Sequence, residues 1–396
     1  MKVLYLGYYR DGTGWAKAAQ NYILALDSVG IDVVPRYVKL NDINGQIDER
    51  ISELETKSDK GCDFVIQHLL PHHMDFNGNF KKNIALYVTE TDSCKNTFWP
   101  ERINLMDEAW VPNDFMAKQT CVNSGINIPH RIVPHAFDMY KYQKSYRDIR
   151  IPQMKNSFCF YYIGDLSRRK NLGCLLKAFH LEFKPEENVS IILKCTSGSM
   201  TPIEIEKNLK SLCSEVKRGL KLYGNKTNIY HKEVFICDYM SEDDIMSMHN
   251  SFDCFVSSSF GEAWGIPIFD AMAMGKTPIC TNTHGPSFFL DGGGYVVDSY
   301  LDNCFGVTDT FAELYTGNEN WNVPKVSSLR NCMRKAFEDA EDREIKSQKG
   351  ISNAYRYSLN EVGNIMKDIL MENGKQQIFN QNNPNKKKHS IGKILA

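Results

Sequence analysis

Twice along this chain, short and continuously apolar segments alternate with amphipathic helical ones, and that alternation limits the possible folds most. The first series opens with VLYLGYY (3–9). An uninterrupted apolar run of that length reads as a strand covered on both faces, rather than as the longer apolar core of a secretory signal. Residues 15–29 then set Ala19, Tyr22, Ile23, Leu26 and Val29 on one helical face, and Gly30 stops the helix. IDVVPRYV, DFVIQHLL, NIALYVT, EAWVP and RIVPHA follow as further short strands. Strands separated by helices need crossover connections, and therefore a mainly parallel sheet.

Residues 139–157 are polar and without period, and read as a linker. The alternation restarts at SFCFYYIG (157–164). It continues through a helix near 171–183, the strand VSIILKC, a helix near 203–221 and the strand EVFIC. A helix near 241–250, the strand DCFVSSS, a helix near 267–274 and the strand TPICT complete it. The fold class expected is α/β, with two Rossmann-like domains, 1–145 and 151–355, facing a cleft. Ligands of such sheets sit outside the carboxyl ends of the strands. The stretch 376–396 is Asn-rich and then basic, with Lys386, Lys387, Lys388 and Lys393, and is expected to be disordered.

Charge and cysteine usage exclude several functions. The chain has 396 residues, with 47 Lys+Arg against 48 Asp+Glu, so no basic excess points to nucleic acid. No run of 18 apolar residues marks a membrane span. The 12 cysteines lie far apart and mostly among apolar neighbours, without a C-x2-C pair, which speaks against structural zinc and for a reducing, cytoplasmic setting.

Three segments carry chemistry. In YYRDGTGWAKAAQ a strand ends, Gly12 and Gly14 follow, and a helix begins. Such a loop either brings amides to an anion at a helix N-terminus or is only a tight turn. Lys17 stands where a dinucleotide fingerprint needs Gly or Ala, so a nicotinamide cofactor is not supported. In SSSFGEAWGIPIFDAMAMGKTPI (257–279), Pro267 suits a first helical turn and Gly275 a helix stop. Glu262 then lies in the loop and Asp270 a turn into the helix, either as ligand contacts or as capping and solvent residues. In IGDLSRRKNLGCLLKAF (163–179), Arg168, Arg169 and Lys170 precede a helix. Cations there oppose the helix dipole unless an anion offsets them.

Together these segments resemble the family 4 retaining glycosyltransferases of the two-domain GT-B type, over most of residues 1–370. The family's E-x7-E motif is present as Glu262-AWGIPIF-Asp270, its basic-Lys-Asn stretch as RRKN, and its domain crossing as VPHAFD (133–138). The resemblance implies a nucleotide diphosphate sugar as donor substrate and a hydroxyl of a glycan, lipid or other acceptor. It assigns Lys170 and the Gly12/Gly14 loop to the diphosphate, with Arg168 and Arg169 beside it, and Glu262 to the transferred sugar. Ala263, Trp264, Gly265 and Ile266 would give backbone contacts, and Asp270 would take the ribose hydroxyls. The segment FICDYMS, with Ile236 and Tyr239, would lie by the base, and Glu90 in YVTETDS would stand where the family often has His. A helix over 356–375 would cross back to the first domain. No metal is expected to be required, because cations and helix N-termini can stabilise the leaving diphosphate. Asp165 stands where the family usually has Arg, and this keeps a non-catalytic sugar- or nucleotide-binding relative as the alternative.

Outside these segments, His68, His72 and His73 lack a metalloprotease spacing and read as a wall near the acceptor. The basic face of 203–221 is either solvated or touches a membrane or an acidic acceptor.

Overall fold

The computed structural model describes all residues except 43–44, 155, 309, 311–312 and 380–396, and excludes the side chains of 153 and 373–379. The chain divides into two compact units, Met1–Met139 with the chain from Tyr355 onward, and Tyr140–Ala354. The boundary thus falls at 139/140 and at 354/355, and the polar interval after 139 belongs to the second unit.

In the first unit, β1 (Lys2–Gly7), β2 (Asp32–Tyr37), β3 (Phe64–His68), β4 (Lys82–Leu86), β5 (Glu108–Val111) and β6 (His130–Ile132) form one parallel sheet in the order β2-β1-β3-β4-β5-β6. The continuous apolar runs arise because both faces of this sheet are covered. Helix α1 (Gly14–Ser28) starts at Thr13, whose hydroxyl accepts from the Ala16 amide at 3.2 Å.

The second unit repeats the theme with β7 (Phe158–Asp165), β8 (Val189–Thr196), β9 (Glu233–Ile236), β10 (Cys254–Ser257), β11 (Ile279–Thr281) and β12 (Tyr295–Val297). Its order is β12-β11-β10-β7-β8-β9, again all parallel. The antiparallel pair β13 (Ser299–Asn303) and β14 (Asn320–Pro324) forms a separate two-stranded sheet. The helices that concern the site are α2 (Leu172–Glu182), α3 (Glu242–Ser251), α4 (Ile266–Ala273) and α5 (His284–Leu290).

Strand order matters because it reverses once in each sheet, between β1 and β3 and between β7 and β10. At such a switch point the flanking crossovers diverge and leave a crevice at the carboxyl ends of the strands.

Helix α6 (Leu359–Phe379) returns the chain to the first unit. Val362, Met366 and Leu370 are fully buried in the first unit's core, and the Lys367 amine caps the Val29 carbonyl at the end of α1. The helix runs to Phe379; the basic lysines of the expected tail lie outside the described residues. Gly363 is where α6 and α1 touch backbone to backbone: a Cβ there would lie 2.2 Å from the Ala25 carbonyl oxygen. Gly363→Ala is therefore expected to destabilise the chain by ~2 kcal/mol or more, read as a fall in the thermal midpoint. An unchanged midpoint would mean the helices can part at no cost.

Candidate active site

Two loops meet at the switch point of the second sheet, one after β7 and one after β10. The first runs through a single 3-10 turn, Arg168–Lys170, to Asn171, which adopts a left-handed conformation (φ 51°) and turns the chain into α2. The second runs from Ser258 to Gly265 and turns into α4 through Gly265 (φ 92°). Only glycine adopts that backbone freely, and the spacing of Gly265 and Pro267 is what starts α4 there.

The loops are fastened to each other along their length. The Ser258 hydroxyl donates to the Asn171 carbonyl at 2.8 Å, and the Asn171 amide side chain donates back to the Ser258 carbonyl at 3.2 Å. The Phe260 amide donates to the Arg169 carbonyl at 2.9 Å. Arg169 Nη1 donates to the Gly261 carbonyl at 2.6 Å and lies 3.3 Å from Glu262 Oε2. Lys170 Nζ donates to Glu262 Oε1 at 2.5 Å. Burial pushes the Glu262 carboxyl upward, but Lys170 and Arg169 outweigh it and hold the group down at about 2. Two cations and one carboxylate thus share the start of α4, whose dipole adds positive potential. That is a net positive, largely buried surface suited to an anion.

The three consecutive cations have different fates. Arg168 turns away, with its guanidinium over the Phe260 ring and its Nε 3.5 Å from the Phe305 carbonyl. Arg169 and Lys170 point at Glu262. The loop 263–266 is pinned from beneath by α5: the Gly285 amide donates to the Glu262 carbonyl at 3.1 Å, and a Cβ on Gly285 would stand 2.4 Å from the Trp264 Cα. The Trp264 indole packs against Phe269, Phe288 and Phe289. Ala263–Ile266 therefore offer backbone rather than side chains.

Asp270 is buried one turn into α4. Its Oδ1 accepts from Tyr142 Oη at 2.6 Å and Lys141 Nζ at 3.0 Å. Ile236 ends β9 half-buried, and Tyr239, just beyond it, is 82% exposed. Gly12, Gly14 and Glu90 belong to the first unit. Gly12 and Gly14 flank the Thr13 cap, in a turn where Asp11 accepts from Tyr37 Oη at 2.5 Å and from the Leu40 amide at 3.1 Å. Glu90 follows β4, between the buried Thr89 and Thr91.

The first unit's own switch point carries the histidines. The Leu70 amide donates to Tyr8 Oη at 2.9 Å, and Tyr8 Oη and His73 Nδ1 share a hydrogen bond of 2.6 Å whose donor depends on the ring's tautomer. Trp99 Nε1–H donates to His72 Nδ1 at 3.2 Å. The His72 ring therefore carries its proton on Nε2 when neutral, and burial lowers the pKa values of both rings. Lys141 and Tyr142 were not legible in the sequence as site residues: they sit in the polar interval and meet Asp270 across about 130 positions. Among the described residues, no group of three or more His, Cys, Asp or Glu could hold a metal ion, and no helix is long and apolar enough to cross a membrane.

Residues 146–305 match the model of the family described as Glycosyl transferases group 1. That region contains Arg168–Lys170, Glu262 and Asp270, and the enzyme class it gives is glycosyltransferase. No curated protein matches the chain. Among solved structures, Anabaena HepE in complex with UDP is similar, with TM-score 0.63 and 12% identity over 94% of this chain and 100% of that one. A glycosyltransferase from Rickettsia africae gives TM-score 0.62 and 13% identity over 94% of this chain and 98% of that one. Sucrose-phosphate synthase from Thermosynechococcus elongatus gives 0.58 and 13% over 96% and 99%. At such identities the likeness is one of fold, the two-unit GT-B arrangement of parallel six-stranded sheets.

Proposed function

We propose that this chain transfers a sugar from a nucleotide diphosphate donor to a hydroxyl acceptor with retention of configuration, as a family 4 type enzyme. The observation that carries this reading is the Lys170–Glu262–Arg169 cluster at the second sheet's switch point, inside the region that matches group 1 glycosyltransferases. Cleaving a glycosyl–phosphate bond builds negative charge on the leaving diphosphate. Lys170, Arg169 and the first turn of α4 would stabilise that charge. Arg169 takes the part of the second cation, for which Asp165 is unsuited. Glu262 holds both cations in place and lies at the side where the transferred sugar would sit. UDP, bound in the HepE structure, is the first nucleotide to try.

Gly12 and Gly14 are proposed to contact the donor phosphates, and Ile236 and Tyr239 the base. The acceptor is proposed to meet the first unit at its β1/β3 switch point, beside His72 and His73. The roles of Glu90, of the basic face of 203–221 toward membranes and of a metal-free mechanism are part of the same proposal.

The test is release of nucleoside diphosphate from UDP-, GDP- and ADP-sugars with and without a panel of glycan and lipid acceptors, with the product anomer read by NMR. Acceptor-dependent release and a retained anomer are expected, with turnover unchanged in EDTA. Binding of a diphosphate without any acceptor-dependent release would favour the non-catalytic relative, and an inverted anomer would exclude retention. Asp270→Asn is expected to raise the donor KM about tenfold with kcat changed less than threefold, because it acts on the ribose and not on the breaking bond. A fall confined to kcat would remove Asp270 from the ribose.

A further inference from the structure

The segment that opens the second unit is not slack chain. The short helix Tyr140–Gln143 is followed by a stretch bound to α3. Arg147 pairs with Asp244 at 2.6 Å, the Ile149 amide donates to Ser251 Oγ at 2.7 Å, and the Asn250 side chain donates to the Tyr146 carbonyl at 3.3 Å. Tyr146 Oη donates back to the Lys141 carbonyl at 2.6 Å and closes the segment on itself. The result is a strap whose first turn lies over α4.

That first turn sends two side chains to one atom. Tyr142 Oη and Lys141 Nζ both donate to Asp270 Oδ1, at 2.6 and 3.0 Å. The Tyr142 ring packs edge-on against Phe269, the residue before Asp270, with ring centroids 6.2 Å apart. Lys141 Nζ also lies 3.0 Å from Glu242 Oε1 at the start of α3, so its amine bridges two helices. Burial alone would lower the Lys141 pKa, but Asp270 and Glu242 more than offset it and keep the amine charged. Two donors on one carboxylate oxygen occupy both of its lone pairs and fix the plane of the group. Oδ2 is then the oxygen left for hydroxyls. An aspartate has one torsion fewer than a glutamate and reaches less far, so the direction in which that oxygen is held decides whether a ribose can use it.

We propose that Lys141 and Tyr142 are positioning residues for the donor nucleoside, locking Asp270 through Oδ1 so that Oδ2 selects a ribose over a 2′-deoxyribose. The proposal rests on the reading that Asp270 takes the ribose hydroxyls. It predicts that removing either strap donor weakens ribose selectivity while leaving diphosphate binding, which depends on Lys170 and Arg169, in place.

The experiment is calorimetric titration of the full chain with UDP, GDP and ADP and with their 2′-deoxy counterparts, using the pair whose ribonucleotide binds most tightly. Wild type is expected to prefer the ribonucleotide by about tenfold or more, and Asp270→Asn to abolish the preference, because a hydroxyl loses a charged partner. Tyr142→Phe and Lys141→Gln are expected to cut the preference at least fivefold while the affinity for the 2′-deoxy diphosphate stays within about threefold of wild type. Lys141→Gln leaves two carboxylates without their shared cation; should it not fold, Tyr142→Phe, which removes one hydroxyl, decides alone. If wild type binds no diphosphate, or shows no preference that Asp270→Asn abolishes, the ribose reading falls and this proposal with it. If wild type prefers the ribonucleotide, Asp270→Asn loses that preference and Tyr142→Phe keeps it in full, the ribose reading stands and the strap has only a structural part.

Discussion

Replacing Lys170 with alanine is expected to lower the rate of sugar transfer by ~10²–10³-fold at saturating donor, the range for losing one preorganised charge partner of a leaving group. The ammonium is held by Glu262 before any ligand arrives, so no reorganisation is needed when charge develops on the diphosphate. Its loss also leaves the buried Glu262 carboxylate with Arg169 as its remaining ion-pair partner. A stability cost of ~1–3 kcal/mol follows, and the Glu262 carboxyl should move upward from about 2. Turnover and thermal midpoint therefore have to be measured together. Lys170→Arg keeps the charge but not the compact three-donor geometry, and should recover stability more fully than rate. An alanine variant that is folded and turns over within about threefold of wild type would show that Arg169 and the helix terminus carry the leaving group alone.

The repeated α/β series was legible because each sheet is covered on both faces, so its strands are apolar without interruption: VLYLGYY and SFCFYYIG cover all but one residue of β1 and of β7. Helix α4 was legible because Pro267 and Gly275 mark its ends through backbone chemistry alone. The separate directions of Arg168 and Arg169 were not. Adjacent residues in one 3-10 turn point about a third of a turn apart, and which of them meets Glu262 is set by the Asn171–Ser258 bonds between loops. The resemblance implied backbone contacts from Trp264 and left its indole unplaced; the indole is core, because α5 supplies Phe288 and Phe289 beneath the loop. The strap carries no periodic signal at all. Its polar residues are explained only by the partners they find on α3 and α4, and sequence distance hides those partners.

Glu262→Gln separates holding the cations from acting beside the sugar. The amide is nearly isosteric but uncharged, so Lys170 and Arg169 lose their counter-charge and become more available to an anion. Nucleoside diphosphate should bind the variant as tightly as wild type, or more tightly. The rate of transfer should nevertheless fall ~10²-fold if Glu262 stands beside the sugar as proposed, since a charge there counts only in the transition state. Stability provides an independent readout. A carboxyl held at about 2 in the folded chain, against an ordinary 4.5, contributes on the order of 3 kcal/mol above the unfolded value. That contribution is fully present at pH 6 and is lost as pH falls from about 4.5 toward 2. The variant lacks it at every pH. The gap in thermal midpoint between wild type and Glu262→Gln should accordingly be widest near neutrality and close as the solution is acidified to pH 3 and below. A gap that stays constant from pH 6 to pH 2.5 would show that Glu262 is not held ionised by Lys170 and Arg169, and the electrostatic basis of the site would have to be sought elsewhere.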